Sequence, residues 1–222
     1  MLDIGCGDGA FLTMFKNYGC EVYGTEFNKR AEDICRRKGI KILSGGLMPK
    51  VESNLYKGFD LIILTEVIEH INNPRDIINN ISNLLKQDGY LYITTPNFSS
   101  IDRLIMGPQW GMICYPEHLT FWSPKTLNYF LKNLGYEKVF IRTENMSVFR
   151  FVQYLNERKT SSSKQPSLDP EKVAVLAQAY FSKNKFLSFA KNVINFFLKI
   201  SGRGASLIAL YRKAENGSTT IQ

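Results

Sequence analysis

The chain has 222 residues, 44% hydrophobic and 22% charged, which suits one globular domain with an insertion and excludes a disordered chain. Its net charge of +8 is uneven: residues 1–149 hold 16 basic against 16 acidic side chains, residues 150–222 hold 12 against 4, so an acidic partner, if there is one, meets the second segment. The four cysteines (Cys6, Cys20, Cys35, Cys114) form no C-x-x-C pair, no signal peptide opens the chain, and no apolar run reaches the ~18 residues of a membrane span, so a reduced, cytoplasmic protein is expected.

In chain order, Leu2–Ile4 reads as a strand, followed by a glycine loop (Gly5, Gly7, Gly9) and an amphipathic helix over Ala10–Tyr18. Glu21–Glu26 is a second strand. Asn28 can cap a helix that carries Ala31, Ile34 and Cys35 on one face and ends at Gly39. Ile40–Leu43 is a short third strand, and the continuous apolar run Phe59–Leu64 is a fourth, buried on both faces. Pro74 opens a helix to about Lys86, Asp88-Gly89 makes a turn, and Tyr90–Thr95 is a fifth strand stopped by Pro96. Ser123-Pro124 starts a helix through Leu127 and Leu131, Gly135 closes it, and Tyr136–Arg142 is a sixth strand. Alternating strands and helices of this kind predict a doubly wound α/β sheet. The pattern then changes: Ser161–Pro170 reads as a loop, Pro170–Ser201 as helical, and Ala205–Tyr211 as a final strand. The expected organisation is a core over 1–143, a helical insertion over 144–204, the core's last strand over 205–213 and a flexible tail over 214–222.

The loop Asp3-Ile-Gly5-Cys6-Gly7-Asp8-Gly9 lies between a strand and a helix, where glycines permit a tight turn and close approach of a ligand. Glu26 ends the second strand, where a carboxylate can accept hydrogen bonds from the ribose hydroxyls of an adenosine. Gly5, Gly7 and Ala10 also satisfy the loose dinucleotide fingerprint, which keeps an NAD-dependent oxidoreductase as an alternative. Asp3 and Asp8 weigh against it: they would repel a pyrophosphate and complement the sulfonium and ammonium of S-adenosylmethionine.

These segments, with Glu66-Val-Ile-Glu-His70, Asp88-Gly-Tyr-Leu-Tyr-Ile-Thr-Thr-Pro-Asn97, Pro116-Glu-His118 and Phe121-Trp-Ser123, resemble the class I S-adenosylmethionine-dependent methyltransferases. The likeness is to the small-molecule branch that includes quinone-pathway O-methyltransferases and enzymes of surface-glycan clusters. It covers residues 1–143 and the last strand. It implies a Rossmann-like seven-stranded sheet of order 3-2-1-4-5-7-6 with the last strand antiparallel. It further implies a methyl acceptor among sugars, quinone precursors and lipid-linked intermediates, with S-adenosylhomocysteine as product. The cofactor residues it implies are Asp3, Gly5, Cys6, Gly7, Gly9, Glu26, Phe27, Leu47, Thr65 and Glu66. Two departures stand out. The family carries more chain before the glycine loop, so an N-terminally truncated product is expected, and an inactive cofactor-binding domain is a further alternative. An acid that relatives use to touch adenine is replaced here by Ser44-Gly45-Gly46-Leu47, so backbone groups and Leu47 or Met48 are expected to hold adenine instead.

Methyl transfer places a nucleophile in line with the methyl group and often removes its proton. His118, in an aromatic-rich loop, is the first candidate base and His70 the second; they are the chain's two histidines. Glu66, Glu69 and His70 offer oxygen and imidazole ligands to a divalent metal, but two carboxylates and one histidine are few, so no metal is assigned. Thr94-Thr-Pro-Asn97 lacks the pattern that grips a flipped base, which argues against nucleic acid and for a small-molecule substrate. Residues 183–201 carry a wide apolar arc beside Lys183, Lys185 and Lys191, which suits peripheral contact with a membrane or packing within the protein. Oligomeric state is left open.

Overall fold

The computed structural model describes residues 1–49, 58–144, 197–198 and 200–214. Seven strands form one sheet: β1 (Leu2–Ile4), β2 (Tyr23–Thr25), β3 (Lys41–Ile42), β4 (Phe59–Thr65), β5 (Leu85–Pro96), β6 (Tyr136–Glu144) and β7 (Ser206–Lys213). Their order is β3-β2-β1-β4-β5-β7-β6, with β7 antiparallel to both neighbours and the other pairs parallel. This is the expected order.

The helices are α1 (Ala10–Asn17), α2 (Lys29–Arg37), α3 (Pro74–Leu84), α4 (Ile101–Met106) and α5 (Pro124–Lys132). α3 and α5 bury Ile77, Ile78, Ile81, Leu84, Leu127 and Leu131 in the main core, against β1, β4, β5 and β7. Leu12 of α1 and Cys35 of α2 join Cys6, Val22 and Ile40 in a second cluster beneath the glycine loop. The helix starts follow their caps. Asn28 Oδ1 accepts from the amides of Arg30 and Ala31, and Ser123 exchanges hydrogen bonds with Thr126 in a capping box ahead of Pro124.

The structure departs from the pattern reading in three places. β5 begins at Leu85, not Tyr90: Phe59 pairs with Leu85 and Leu61 with Tyr90, so Asp88, at φ +62°, turns within an irregular strand. α3 stops at Leu84 because Leu85 is taken by that pairing. α4, with 3-10 turns at Ile68–His70 and Gly107–Gln109, was not anticipated, since six residues are too few to show a helical period. Of the expected insertion, Glu144 belongs to β6, residues 197, 198 and 200 are helical, and 201–204 lead into β7. The loop at 161–170, most of the helical segment at 170–201, and the tail from 215 lie outside the described residues.

Leu91, fully buried in β5, should contribute strongly to the main core. Leu91→Ala is expected to cost about 2–5 kcal/mol in urea unfolding, whereas Tyr129→Ala on the exposed side of α5 should stay within about 0.5 kcal/mol.

Candidate active site at the carboxyl edge of the sheet

Residues from the ends of β1, β2, β4 and β5 converge at one edge of the sheet, the place where open α/β sheets bind ligands. The amides of Gly5 and Cys6 both donate to the carbonyl of Thr25, at 2.9 Å each, which ties the glycine loop to the end of β2. The glycines of the loop serve different needs. A Cβ on Gly5 would stand 2.8 Å from Val67 Cγ2, and one on Gly9 would collide with Ile40 and Cys35, so both are demanded by packing. Gly7 has φ +54° and open space around it, which leaves room for a ligand.

Glu26 is held by three backbone amides. Gly7 N–H donates to Oε2, and Phe27 and Asn28 N–H donate to Oε1, each at 2.8 Å. That aims the carboxylate at the loop and leaves it further acceptor capacity for hydroxyls. Asp3 lies beneath it, 3% exposed. Burial, and then the charge of Glu26, push the Asp3 carboxyl up to about 7. Its Oδ1 is buried without a hydrogen-bond partner. An orphaned carboxylate oxygen is costly in a free protein and fits a cation or N–H donor brought by a ligand.

The remaining cofactor candidates are distributed around this pair. The exposed ring of Phe27 lies against Gly46, and Leu47 is half-buried against the main core. Cys6 turns its side chain inward, its Sγ 3.9 Å from that of Cys35, so only its backbone lines the loop. Thr65 and Glu66 are exposed at the end of β4. Glu66 has φ +52°, a strained setting for a side-chain-bearing residue, and its Oε1 accepts from Thr94 Oγ1 at 2.9 Å.

The histidines meet. The His70 and His118 rings are 4.7 Å apart in an edge-to-face arrangement. Glu69, His70 and His118 each offer a ligand atom, all within 4.8 Å of one another. Glu66 is not in this cluster, so the group differs from the E-x-x-E-H set expected from spacing. His70 Nδ1 lies 2.7 Å from the Glu117 carbonyl and His118 Nδ1 2.8 Å from the Met112 carbonyl. A carbonyl only accepts, so both Nδ1 atoms carry a proton, and in the neutral imidazole the lone pair is then on Nε2. Buried Glu69 accepts from Thr95 Oγ1 at 3.0 Å, and burial raises its carboxyl above the usual range. The Glu69 carbonyl also accepts the amides of Leu119 and Thr120, which sews the loop carrying His118 to the turn carrying His70. Pattern reading missed Asp3's unpaired oxygen and Glu69's contact with Thr95; the only available signal was an acid in an otherwise apolar context.

A family profile described as a methyltransferase domain matches residues 1–140. Among curated proteins, the ubiquinone biosynthesis O-methyltransferase of Azoarcus sp. is 23% identical over 153 residues, covering 63% of this chain and 64% of that protein. Its namesake from Glaesserella parasuis is 32% identical over 106 residues, covering 44% and 45%. The chain thus spans less than two thirds of the length of these relatives. Among solved structures, a SAM-dependent methyltransferase from Archaeoglobus fulgidus superposes with a TM-score of 0.61 at 21% identity, covering 96% of this chain and 85% of that one. A (4+2)-cyclase, SpnF, superposes with a TM-score of 0.57 at 17% identity, covering 96% and 73%.

The raised Asp3 carboxyl has a signed consequence. Between about pH 4 and 7 the unfolded chain has released a proton that folded Asp3 retains, so stability falls as pH rises through that window. Asp3→Asn should raise the melting temperature of the ligand-free chain at pH 8, by about 2–4 °C per kcal/mol recovered, leave it little changed at pH 4, and weaken S-adenosylhomocysteine binding. Thermal scans at the two pH values and calorimetric titration check the three outcomes.

Proposed function

The chain belongs to the methyltransferase domain family, and from that premise we propose that it moves the methyl group of S-adenosylmethionine onto a hydroxyl of a small-molecule acceptor. The observation that carries this reading is the paired carboxylates: Asp3 buried with an unpartnered oxygen, and Glu26 fixed by three amides above it. That arrangement suits an adenosine bearing cationic groups and disfavours a pyrophosphate, and family membership sets the dinucleotide alternative aside. On this reading Glu26 takes the ribose hydroxyls, Phe27 and Leu47 flank the adenine, and Asp3 faces the ammonium. The backbone of Gly5, Cys6, Gly7 and Gly9 shapes the floor, with Thr65 and Glu66 at its rim.

When bound, the cofactor supplies an electrophilic methyl carbon on a sulfonium, which an acceptor oxygen displaces in line as sulfur keeps the bonding electrons. His118, whose Nδ1–H is committed to the Met112 carbonyl so that the neutral ring offers Nε2, receives the proton of the hydroxyl there. His70 stands beside it as the second acceptor of that proton. The named activity of the quinone-pathway relatives supports an oxygen acceptor, and sugars, quinone precursors and lipid-linked intermediates are the classes to assay.

A second reading is favoured by the same cluster. Imidazoles that donate Nδ1–H to backbone carbonyls and offer a ring nitrogen within 4.8 Å of a carboxylate oxygen match the way proteins orient metal ligands. Glu69, His70 and His118 would then hold a divalent cation that orients a pair of adjacent hydroxyls.

Transfer of a labelled methyl group from S-adenosylmethionine into the three acceptor classes tests the main reading. His118→Gln is expected to lower turnover about 10²–10⁴-fold while S-adenosylhomocysteine affinity stays within about twofold. Wild-type turnover in that variant would remove His118 from the chemistry. Cofactor binding with no transfer to any class would leave a binding domain without this activity. Loss of turnover on chelation, restored by a divalent salt, would select the metal reading.

A further inference from the structure

Two thiols meet beneath the glycine loop. Cys6 belongs to the loop and Cys35 to the last turn of α2. Both are buried, and their Sγ atoms stand 3.9 Å apart. The two positions are 29 residues apart in the chain and are brought together in the cluster that also holds Leu12, Val22 and Ile40. Two glycines make room for the sulfurs. A Cβ on Gly24 would stand 2.6 Å from Cys6 Sγ, and one on Gly9 would stand 2.9 Å from Cys35 Sγ. A side chain at either place would displace a sulfur from the pair.

Both sulfurs face the same peptide group. Cys35 Sγ donates to the Gly7 carbonyl at 3.2 Å, and Cys6 Sγ lies 3.9 Å from the same oxygen. The amide of Gly7 donates to Glu26 Oε2 at 2.8 Å. Gly7 therefore stands between the thiols and the carboxylate assigned above to the ribose hydroxyls. A disulfide carries no S–H, so closing the pair removes both thiol donors from the Gly7 carbonyl. It also draws the sulfurs from 3.9 Å to about 2.05 Å, a movement that close packing passes to the loop and to α2. Gly7, at φ +54° with open space around it, is the point of the loop that yields.

We propose that Cys6 and Cys35 form a redox pair whose disulfide weakens cofactor binding, a switch that rests on the reading of Glu26 as the ribose partner. The oxidant is hydrogen peroxide. One thiolate attacks a peroxide oxygen, and the O–O bond breaks to give a sulfenic acid and hydroxide, which takes up the proton that thiol had released. The neighbouring thiol then attacks the sulfenic sulfur. The S–S bond forms, the S–O bond breaks, and water leaves with the second thiol's proton. Two thiols and one peroxide become one disulfide and two waters, with two electrons passing from sulfur to oxygen. Burial pushes both thiols above their usual range, so thiolate is scarce near neutrality and closure quickens as pH rises.

Peroxide treatment of the full chain carrying Cys20→Ser and Cys114→Ser, which leaves this pair as the remaining thiols, tests the switch. Thiol titration should fall from two to none, and peptide mapping should join Cys6 to Cys35. The Kd for S-adenosylhomocysteine, by calorimetry, should rise about tenfold or more and return with dithiothreitol. A further Cys35→Ser change keeps a donor for the Gly7 carbonyl and should limit the response to peroxide to about twofold. Two free thiols after treatment, in a chain that binds the ligand when reduced, overturn the switch alone. So does a disulfide that leaves the affinity unchanged. An equal loss of affinity in Cys35→Ser would assign the effect to oxidation of Cys6 by itself and overturn the pair. A reduced chain that does not bind the ligand overturns the cofactor reading, and the switch with it.

Discussion

The burial of Asp3 beside Glu26 is the constraint on which the rest of the site depends. β1 contributes only Leu2–Ile4 to the sheet, yet it sits at its centre, between β2 and β4, and its middle residue is the carboxyl with an unpartnered oxygen. Placing an acid there opposes stability, because desolvation and a neighbouring carboxylate both disfavour its charge. The loop geometry then follows from relieving the second carboxylate: Glu26 collects the amides of Gly7, Phe27 and Asn28, and so couples the glycine loop to the start of α2. Cost in the free protein and complementarity to a cationic ligand have the same physical origin.

The acceptor side depends on a different set of bonds. The turn at Ile68–His70 and the loop through His118 come from segments some fifty residues apart, joined by the backbone of Glu69 and by the Thr120 hydroxyl on the Ile68 carbonyl. Asn97 extends the fastening to the far side of the site: its Nδ2 donates to the carbonyls of Gly202 and Gly204, which anchors the entry to β7 at the end of β5. The antiparallel β7, inserted between β5 and β6, thereby lends its rigidity to the edge where the histidines stand. Elements that look peripheral in sequence are the supports of the candidate chemistry.

The fold alone does not select that chemistry. The same architecture is shared with a (4+2)-cyclase as well as with methyltransferases, so function has to be argued from the site's groups and not from the sheet. Here the carboxylate pair argues for the cofactor class, and the histidine pair for proton removal or metal binding, from independent observations.

The sheet was legible in the sequence because period and punctuation are local properties. The apolar run at Phe59–Leu64, the caps at Asn28 and Ser123 and the glycine loop all state their structure within a few residues. The order β3-β2-β1-β4-β5-β7-β6 was legible only through resemblance, since pairing between distant strands leaves no local trace. The site divided in the same way. Gly5, Gly7 and Glu26 could be read from their register with β1 and β2, but the grouping of Glu69 and His70 with His118, and the separation of Glu66 from them, could not. Spacing of three residues puts Glu66 and Glu69 close in any turn; only the positive φ at Glu66 and its bond to Thr94 send the two side chains to different partners. The burial of Asp102 together with Met106 in α4 was likewise invisible in six residues, because which face is inward is decided by what packs against the helix. Sequence alone determined the seven strands, four of the five described α-helices and the glycine loop; tertiary contacts decided which side chains meet, because convergence of distant segments is a property of packing and not of local propensity.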